Sequence, residues 1–328
     1  LNPFKFLCGA KPRKEVCHTY FVGYYGFGNA GDEHLLRQSQ SLVSAGVAHV
    51  LPARRLLGLW DMVRRVPFMD AVVFGGGSLF QDRSSRMSLA YYLLILTWAC
   101  LWRRRILVLG HGLGPIRSPG LRRWLACLLP HVGQVIARDA QSHGDFLALG
   151  SRESRTHLGV DLAYTAGPQS DLWAASGAVA VSVNGVIPGF LRDIAAVTDD
   201  KGPCWIRMHA GHDETMSPAV HMTEKLAFES EAQGFSACIA MRYHACVWAS
   251  LRGLPFLAVG QDPKLQALAH TFGQPVLSMA ASDAEKRSEI QVFLAQLPMY
   301  RARILAQRPE VLALAGKMQR WVEVFVSY

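Results

Sequence analysis

From residue 18 onward the chain repeats one pattern: a short run of apolar, β-favouring residues, a Gly-rich or polar turn, then apolar positions at helical spacing. His18–Gly23 (HTYFVG) reads as a strand, with a helix from about Asp32 to Ala45. Ala48–Leu51, Ala71–Phe74, Ile106–Leu109 and Gln134–Ala137 read as four further strands, with helices over Leu89–Trp102 and Leu121–Leu129. Strands that are apolar throughout and alternate with helices predict a parallel sheet covered on both faces. Ligands of such sheets bind beyond the carboxyl ends of the strands, and each Gly-rich turn here falls at such an end. Around Thr165–Ser176 the chain turns to Gly, Pro, Ser, Gln and Asp, which marks a linker. A sparser αβ run follows, with strands at Ala178–Val183, Pro203–Met208, Ala237–Met241 and Pro255–Val259 and a helix at Tyr243–Arg252. From Glu285 the pattern is helical to the end, with breaks expected near Pro298 and Pro309. The expectation is one α/β architecture used twice, over residues 1–168 and 169–328, the second copy shortened and ending in helices.

Composition supports two cores. The 328 residues are 50% hydrophobic and 18% charged, which excludes a disordered chain, and the aperiodic 29 Gly and 16 Pro exclude a fibrous one. The net charge of +9 is unevenly spread. Residues 1–160 hold 20 Lys/Arg and 9 Asp/Glu, whereas residues 161–328 hold 14 and 16. The first half therefore suits an anionic partner: nucleic acid, a membrane surface, or a phosphorylated or carboxylated substrate. Nucleic acid fits least, because the arginine pairs lack interleaved aromatics and no known module is present. The seven cysteines form no C-x-x-C pair and their number is odd, which points to a reducing compartment and no structural zinc. No signal peptide is visible, and the expected location is cytoplasmic. Leu89–Trp102 is the longest apolar run and ends in Arg103-Arg104-Arg105. It is shorter than the ~20 residues of a spanning helix. A buried helix is the first reading, and one dipping into a membrane surface the second.

Candidate chemistry sits in the turns. Gly23–Asp32 (GYYGFGNAGD) contains G-x-G-x-x-G at Gly26, Gly28 and Gly31, between a strand and a helix. A dinucleotide site is weakened by Asp32 directly after the third glycine, where a pyrophosphate would face a carboxylate. Arg54 and Arg55 after the second strand leave an NADP enzyme open. Asn29 and Asp32 suit hydrogen bonds to sugar hydroxyls or a general base. Gly75-Gly76-Gly77 would let a ligand approach the backbone, with Gln81 and Asp82 nearby; Asp82 as a plain helix cap is the alternative. Gly110-His111-Gly112-Leu113-Gly114-Pro115 again puts small residues at a strand end, His111 being either a ligand contact or a satisfied loop histidine. Arg138 closes a central strand, and adjacent strand side chains diverge, so it is expected to bind an anion rather than pair with Asp139. Arg242 and His244 close a strand and open a helix, and Lys264 follows the next strand. Three basic groups at adjacent strand ends read as a phosphate-plus-carboxylate site.

Taken in order, GYYGFGNAGDE, GGGSLFQD, GHGLGPI, ARD and MRYHACVWASLRGLPFLAVGQDPK resemble the polysaccharide pyruvyl transferases, particularly the bacterial type that modifies cell-wall polymers for S-layer anchoring. The resemblance runs from about His18 to Lys264. It implies two Rossmann-like domains of the glycosyltransferase-B type, the first on the acceptor side and the second on the phosphoenolpyruvate side. It implies transfer of pyruvate, as a ketal, from phosphoenolpyruvate to a hexose of a cell-surface polysaccharide or its lipid- or nucleotide-linked precursor, with phosphate released. Phosphoenolpyruvate is the co-substrate, and no other cofactor and no metal are expected. By resemblance Arg138, His244 and Lys264 match positions tied to phosphoenolpyruvate, and the loop of Gly28, Asn29, Gly31 and Asp32 would face the acceptor. His244 is the expected acid or proton shuttle and Asp32 the hydroxyl base, with Arg138, Arg242 and Lys264 holding anions. Gly76, Gly77, Gln81 and His111 complete the expected substrate contacts. Two departures stand out: the stretch 208–235 is shorter than a helix–strand–helix, and Asn184 stands where a polar nucleotide contact is expected. A nucleotide-sugar glycosyltransferase of the same fold, or a non-catalytic sugar-phosphate-binding relative, is the alternative. The arginines outside the donor site, Arg54, Arg55, Arg64, Arg65, Arg103–Arg105, Arg122 and Arg123, fit peripheral contact with the inner face of an anionic membrane.

Overall fold

The computed structural model describes residues 18–43, 46–83, 85–167, 169–182, 194, 198, 203–209, 222–226 and 234–327. Asn184, Cys8, Cys17 and most of 208–235 lie outside them. The chain forms two compact units. One takes residues up to Tyr24, Leu36–Asp161 and Lys317–Tyr328, and the other takes Tyr25–Leu35 and Leu162–Gly316. The first glycine loop and the start of its helix thus group with the later part of the chain, across the boundary expected after residue 168.

The first unit is built on β1 (His18–Val22), β2 (Val47–Val50), β3 (Ala71–Gly75), β4 (Arg105–His111), β5 (Gln134–Ala137) and β6 (Thr156–Leu158). They are parallel throughout, in the order β2-β1-β3-β4-β5-β6. The intervening helices are α1 (Ala30–Val43), α2 (Arg55–Arg65), α3 (Arg86–Leu101), α4 (Pro119–Leu128) and α5 (Ala140–Ala148). α2, α3 and α4 share one core with the sheet: Met62, Leu89, Leu93, Leu96 and Leu125 meet Tyr20, Val72, Phe74, Ile106 and Val108. α3 is the long apolar run, and it buries Leu89, Tyr91, Tyr92, Leu93, Ile95, Leu96 and Ala99. Ser85 starts it by accepting the Ser88 N–H at 3.3 Å. Among the described residues no helix is long and apolar enough to cross a membrane.

The second unit carries β7 (Trp173–Ser182), β8 (Pro203–Arg207), β9 (Met222–Leu226), β10 (Phe235–Ala240), β11 (Phe256–Val259) and β12 (Val276–Leu277). These too are all parallel, in the order β12-β11-β10-β7-β8-β9, with the direction of winding reversing between β7 and β10. Its described helices are α6 (Tyr243–Leu251), α7 (Pro263–Thr271), α8 (Asp283–Ala295) and α9 (Leu297–Ser327), the last running on into the first unit. A Ser282–Glu285 capping box opens α8.

Three expectations change. The second sheet is not short: among the described residues both sheets have six strands. β9 (MTEKL) and the two-residue β12 have too little apolar pattern to be read from sequence. The expected linker is partly structured: the short helical turn Leu162–Ala166 runs into it, Leu172 is buried with its N–H donating to Arg252 O at 3.1 Å, and β7 begins at Trp173. Pro309 does not end the last helix, which continues through it. Burial of Ile304, Val311, Ala315, Met318 and Val322 along one side outweighs the one backbone bond that proline removes. Of the described cysteines, Cys204, Cys238 and Cys246 are buried free thiols, and burial pushes the Cys238 thiol up to about 12.

Candidate functional site

In the second unit the chain leaves β10 at Ala240 and enters α6 at Tyr243. Met241 and Arg242 make the turn, and Arg242 occupies the N-cap position without a side-chain cap bond. The N-terminus of α6, with its partial positive charge, therefore lies at the strand end. β11 and α7 repeat the device one strand over. Asp262 caps α7 by accepting the Lys264 N–H at 3.2 Å, with Pro263 at the first helical position. Lys264 is thus the second residue of a helix rather than part of the strand end.

These turns line a cavity of about 210 Å³ with Asn29, Met208, Met241, Arg242, Tyr243, His244, Asp262, Lys264 and Leu265. Lys264 Nζ lies 5.7 Å from the Tyr243 ring centroid and 3.9 Å from an Asp262 oxygen. The Tyr243 and His244 rings meet edge to face at 5.3 Å. Two basic side chains, an imidazole and the N-termini of α6 and α7 surround one carboxylate, so the cavity favours a small anion.

The glycine loop reaches this cavity through backbone stitching. Ala30 N–H donates to Met208 O at 2.8 Å, and Asn29 makes an antiparallel bridge with His209. Asn29 Oδ1 accepts the Gly31 N–H at 3.1 Å and so caps α1, while Gly26 N–H donates to Glu33 at 2.7 Å. Gly31 lies directly under His244, and a Cβ there would overlap the imidazole and its Cβ. Gly28 takes a left-handed conformation at φ 72°. Asn29, Arg242, His244 and Lys264 are therefore brought together, with Gly31 against the histidine. Asp32 stands half-buried in the first turn of α1 and is not part of the cavity lining. Sequence reading missed Tyr243, Asp262 and Met208; Asp262-Pro263 before a helical run was the one available signal, since it is an N-cap pattern.

The other expected residues gather in the first unit. The glycine turns after β3 and β4 are zipped together, with Gly76 N–H on Leu109 O and Gly112 N–H on Gly77 O, both at 2.8 Å. His111 locks them from inside. It is fully buried, its Nδ1 meets Gly76 O at 3.1 Å and its Nε2 accepts the Leu79 N–H at 3.0 Å. Nδ1 must then carry the proton. Burial, and then the Arg138 charge, push its pKa down to about 3. His111 therefore shapes the loop as a neutral clamp; with both nitrogens occupied it does not reach out to a ligand, which corrects the expected substrate contact. Asp82 binds the N–H groups of Arg117 at 2.9 Å and Ser118 at 2.8 Å, and those bonds hold its carboxyl below the usual range. Gln81 lies at the rim, accepting the Arg83 N–H at 2.7 Å and packing where Gly114 has no side chain.

Arg138 is buried and does pair with Asp139, at 3.4 Å. β5 has already ended at Ala137, so strand alternation no longer separates the two side chains. Asp139 is instead the N-cap of α5, with its other oxygen on the Ser142 N–H at 2.7 Å. A second carboxylate, Asp161, 2% exposed, stands 3.9 Å from the guanidinium, and Ser78 Oγ lies 3.4 Å away. The space for Arg138 exists because residue 112 is glycine. Asp161 gave no sequence signal, since it reaches Arg138 only through the pairing of β5 with β6.

Two doubly wound parallel sheets, each ending in glycine turns or helix N-termini, define a Rossmann-like fold of the glycosyltransferase-B kind. Solved structures agree at the level of fold. Anabaena HepE in complex with UDP-glucose is 11% identical with a TM-score of 0.56, covering 95% of this chain and 99% of that one. The UDP-GlcNAc 2-epimerase of Neisseria meningitidis bound to UDP-GlcNAc is 11% identical with a TM-score of 0.58, covering 94% and 99%. The glycotransferase of kitacinnamycin is 12% identical with a TM-score of 0.54, covering 94% and 97%. No curated protein matches this sequence. The polysaccharide pyruvyl transferase family model matches residues 13–208, and the chain belongs to that family.

Proposed function

We propose that this transferase moves pyruvate from phosphoenolpyruvate onto two hydroxyls of a hexose in a cell-surface glycan or its lipid- or nucleotide-linked precursor. Beyond family membership, the observation that carries the reading is the cavity lined by Arg242, His244, Lys264 and Asn29 at the N-termini of α6 and α7. It offers a phosphate and a carboxylate the cations and N–H dipoles that both require. In the proposed chemistry His244 delivers a proton to the methylene carbon of phosphoenolpyruvate, which becomes the methyl group. One sugar hydroxyl adds to C2 and gives up its proton to a base, for which Asp32 is the candidate. The second hydroxyl adds as phosphate departs, its proton leaving with the phosphate. Two C–O bonds form, one C–O bond to phosphate breaks, and no oxidant is used. Arg242 and Lys264 hold the anions, and Arg138 is the first unit's candidate anion-binding residue. Gly76, Gly77 and Gln81 are candidate substrate contacts. A lipid-linked acceptor would put the reaction at the inner face of the plasma membrane.

A second reading is transfer from a nucleotide-sugar, favoured by the UDP-glucose and UDP-GlcNAc held by the solved structures of this fold. One assay separates them. Purified protein is given phosphoenolpyruvate and a panel of mannose-, N-acetylmannosamine- and galactose-containing acceptors. Phosphate release without any nucleotide-sugar supports pyruvylation. Nucleoside diphosphate released from a nucleotide-sugar, with phosphoenolpyruvate untouched, overturns it.

A further inference from the structure

α2 has apolar residues on both of its sides. Gly58 and Met62 face inward, and Gly58 leaves room for the Tyr91 hydroxyl of α3. The outward side carries Leu56, Trp60 and Val63, spaced i, i+4 and i+7, with Leu57 beside them. Their exposures are 84% for Leu56, 54% for Leu57, 63% for Trp60 and 42% for Val63, and Phe68 just beyond the helix is 78% exposed. α3, packed against α2, adds a stripe at heptad spacing: Met87 (72%), Leu94 (45%) and Leu101 (68%). Single exposed apolar residues need no explanation, but two neighbouring helices that both turn apolar rows to water do.

The stretch of chain that carries these helices is predominantly basic. Between Pro52 and Gly133 the chain has twelve arginines, no lysine, and three acidic residues. Each of the three acids is engaged internally: Asp61 by Tyr20 and Arg65, Asp70 by the His18 N–H, and Asp82 by two backbone N–H groups. Arg54, Arg55 and Arg64 flank the α2 row and are exposed, and the Arg64 guanidinium sits 5.7 Å from the Trp60 ring. Leu101 and Trp102 lead into exposed Arg103. Apolar and tryptophan side chains on a helix edged by arginines match a bilayer interface, whose acyl boundary takes the former and whose anionic headgroups take the latter. A protein partner would be expected to offer acidic groups to a face this basic, and a second copy would set arginine against arginine.

We propose that the outer surface of α2 and α3 docks this protein onto an anionic lipid bilayer, with Leu56, Leu57, Trp60 and Phe68 entering the headgroup–acyl boundary. The proposal is independent of the transfer chemistry, because vesicle binding needs no turnover.

The test is co-sedimentation of the full chain with phosphatidylcholine vesicles and with vesicles containing phosphatidylglycerol, at low and high salt. The expected result is at least tenfold stronger binding to the anionic vesicles, weakened by salt. Leu56→Glu with Trp60→Glu should abolish binding, and Arg55→Gln with Arg64→Gln should reduce it about twentyfold. Circular dichroism confirms that the variants are folded, and phosphate release measured on a soluble acceptor should stay at the parent rate. Equal binding to both vesicle types, no binding to either, or folded variants that bind like the parent overturn the proposal. So does a dimer in light scattering that Leu56→Glu with Trp60→Glu converts to monomer, since the face then belongs to a second copy.

Discussion

Replacing Gly31 with alanine sets two effects against each other. In the first turn of a helix, alanine in place of glycine stabilises by up to about 1 kcal/mol through backbone entropy alone. At this position the new methyl would overlap three atoms of His244: Nδ1, Cγ and its Cβ. Rotating the imidazole does not clear the overlap, because Cγ and Cβ barely move with the ring. Inserting a methyl into such a contact costs about 1–3 kcal/mol. The expected net result is destabilisation by about 1 kcal/mol, a fall in melting temperature of roughly 2–4 °C for a unit of this size. The decisive measurement is a double-mutant cycle. In a His244→Gly background, which also removes the Cβ, the overlap is gone, so Gly31→Ala should become neutral or stabilising, with a coupling of about 1–2 kcal/mol. Phosphate release by Gly31→Ala should fall further than stability does, since the displaced imidazole is the proposed proton donor. If Gly31→Ala melts at or above the parent temperature and the coupling is within about 0.5 kcal/mol of zero, the histidine does not rest on this glycine. The joining of loop and cavity would then be wrong.

His244→Ala and Lys264→Ala should each lower phosphoenolpyruvate-dependent phosphate release by about a hundredfold or more, with folding intact, and parent-like turnover refutes their roles. His111 predicts a pH effect. Its pKa is 6.5 when unfolded and about 3 when folded, so below 6.5 the unfolded chain gains a proton that the folded one refuses. Its contribution is complete above that pH and fades as pH falls toward 3, amounting to about 2 kcal/mol lost at pH 5. Denaturation across this range should show that slope, and His111→Gln should flatten it. Arg138→Met should destabilise by about 3–5 kcal/mol, because Asp139 and above all buried Asp161 lose their cation. Adding Asp161→Leu should restore part of that loss, and strict additivity of the two changes would count against the pair.

Legibility in the sequence followed how local each signal was. β5 was read with its observed limits, and β1, β3 and β4 within two residues, because each is a short apolar run closed by glycine or a turn. α6 was legible for the same reason, with MRYH between an apolar strand and an apolar helix. α2 escaped because apolar residues lie on both its sides and Gly58 interrupts them, leaving no clear period. α5 and α7, nine residues each, were too short to stand out. Strand alternation was applied to Arg138 and Asp139 although both lie past the end of β5, and that step is what the observed pair reversed.

The sequence by itself determined the alternation of parallel strands and helices, the placing of the glycine-rich turns after β1, β3 and β4 at those strands' carboxyl ends, and the basic first half. Those properties rest on spacing, on turn chemistry and on charge counts, which are written within a few residues of one another or in the sum. Tertiary structure alone decided which turns meet. It stitched Asn29 to His209 and laid Gly31 under His244, closed His111 inside two glycine turns, set Asp161 against Arg138, and left Trp60 facing water. The physical reason is that such contacts depend on the order in which strands pair and on where a missing Cβ lets another chain segment approach. Neither is visible in periodicity, which says which side of an element is apolar but not what it will touch.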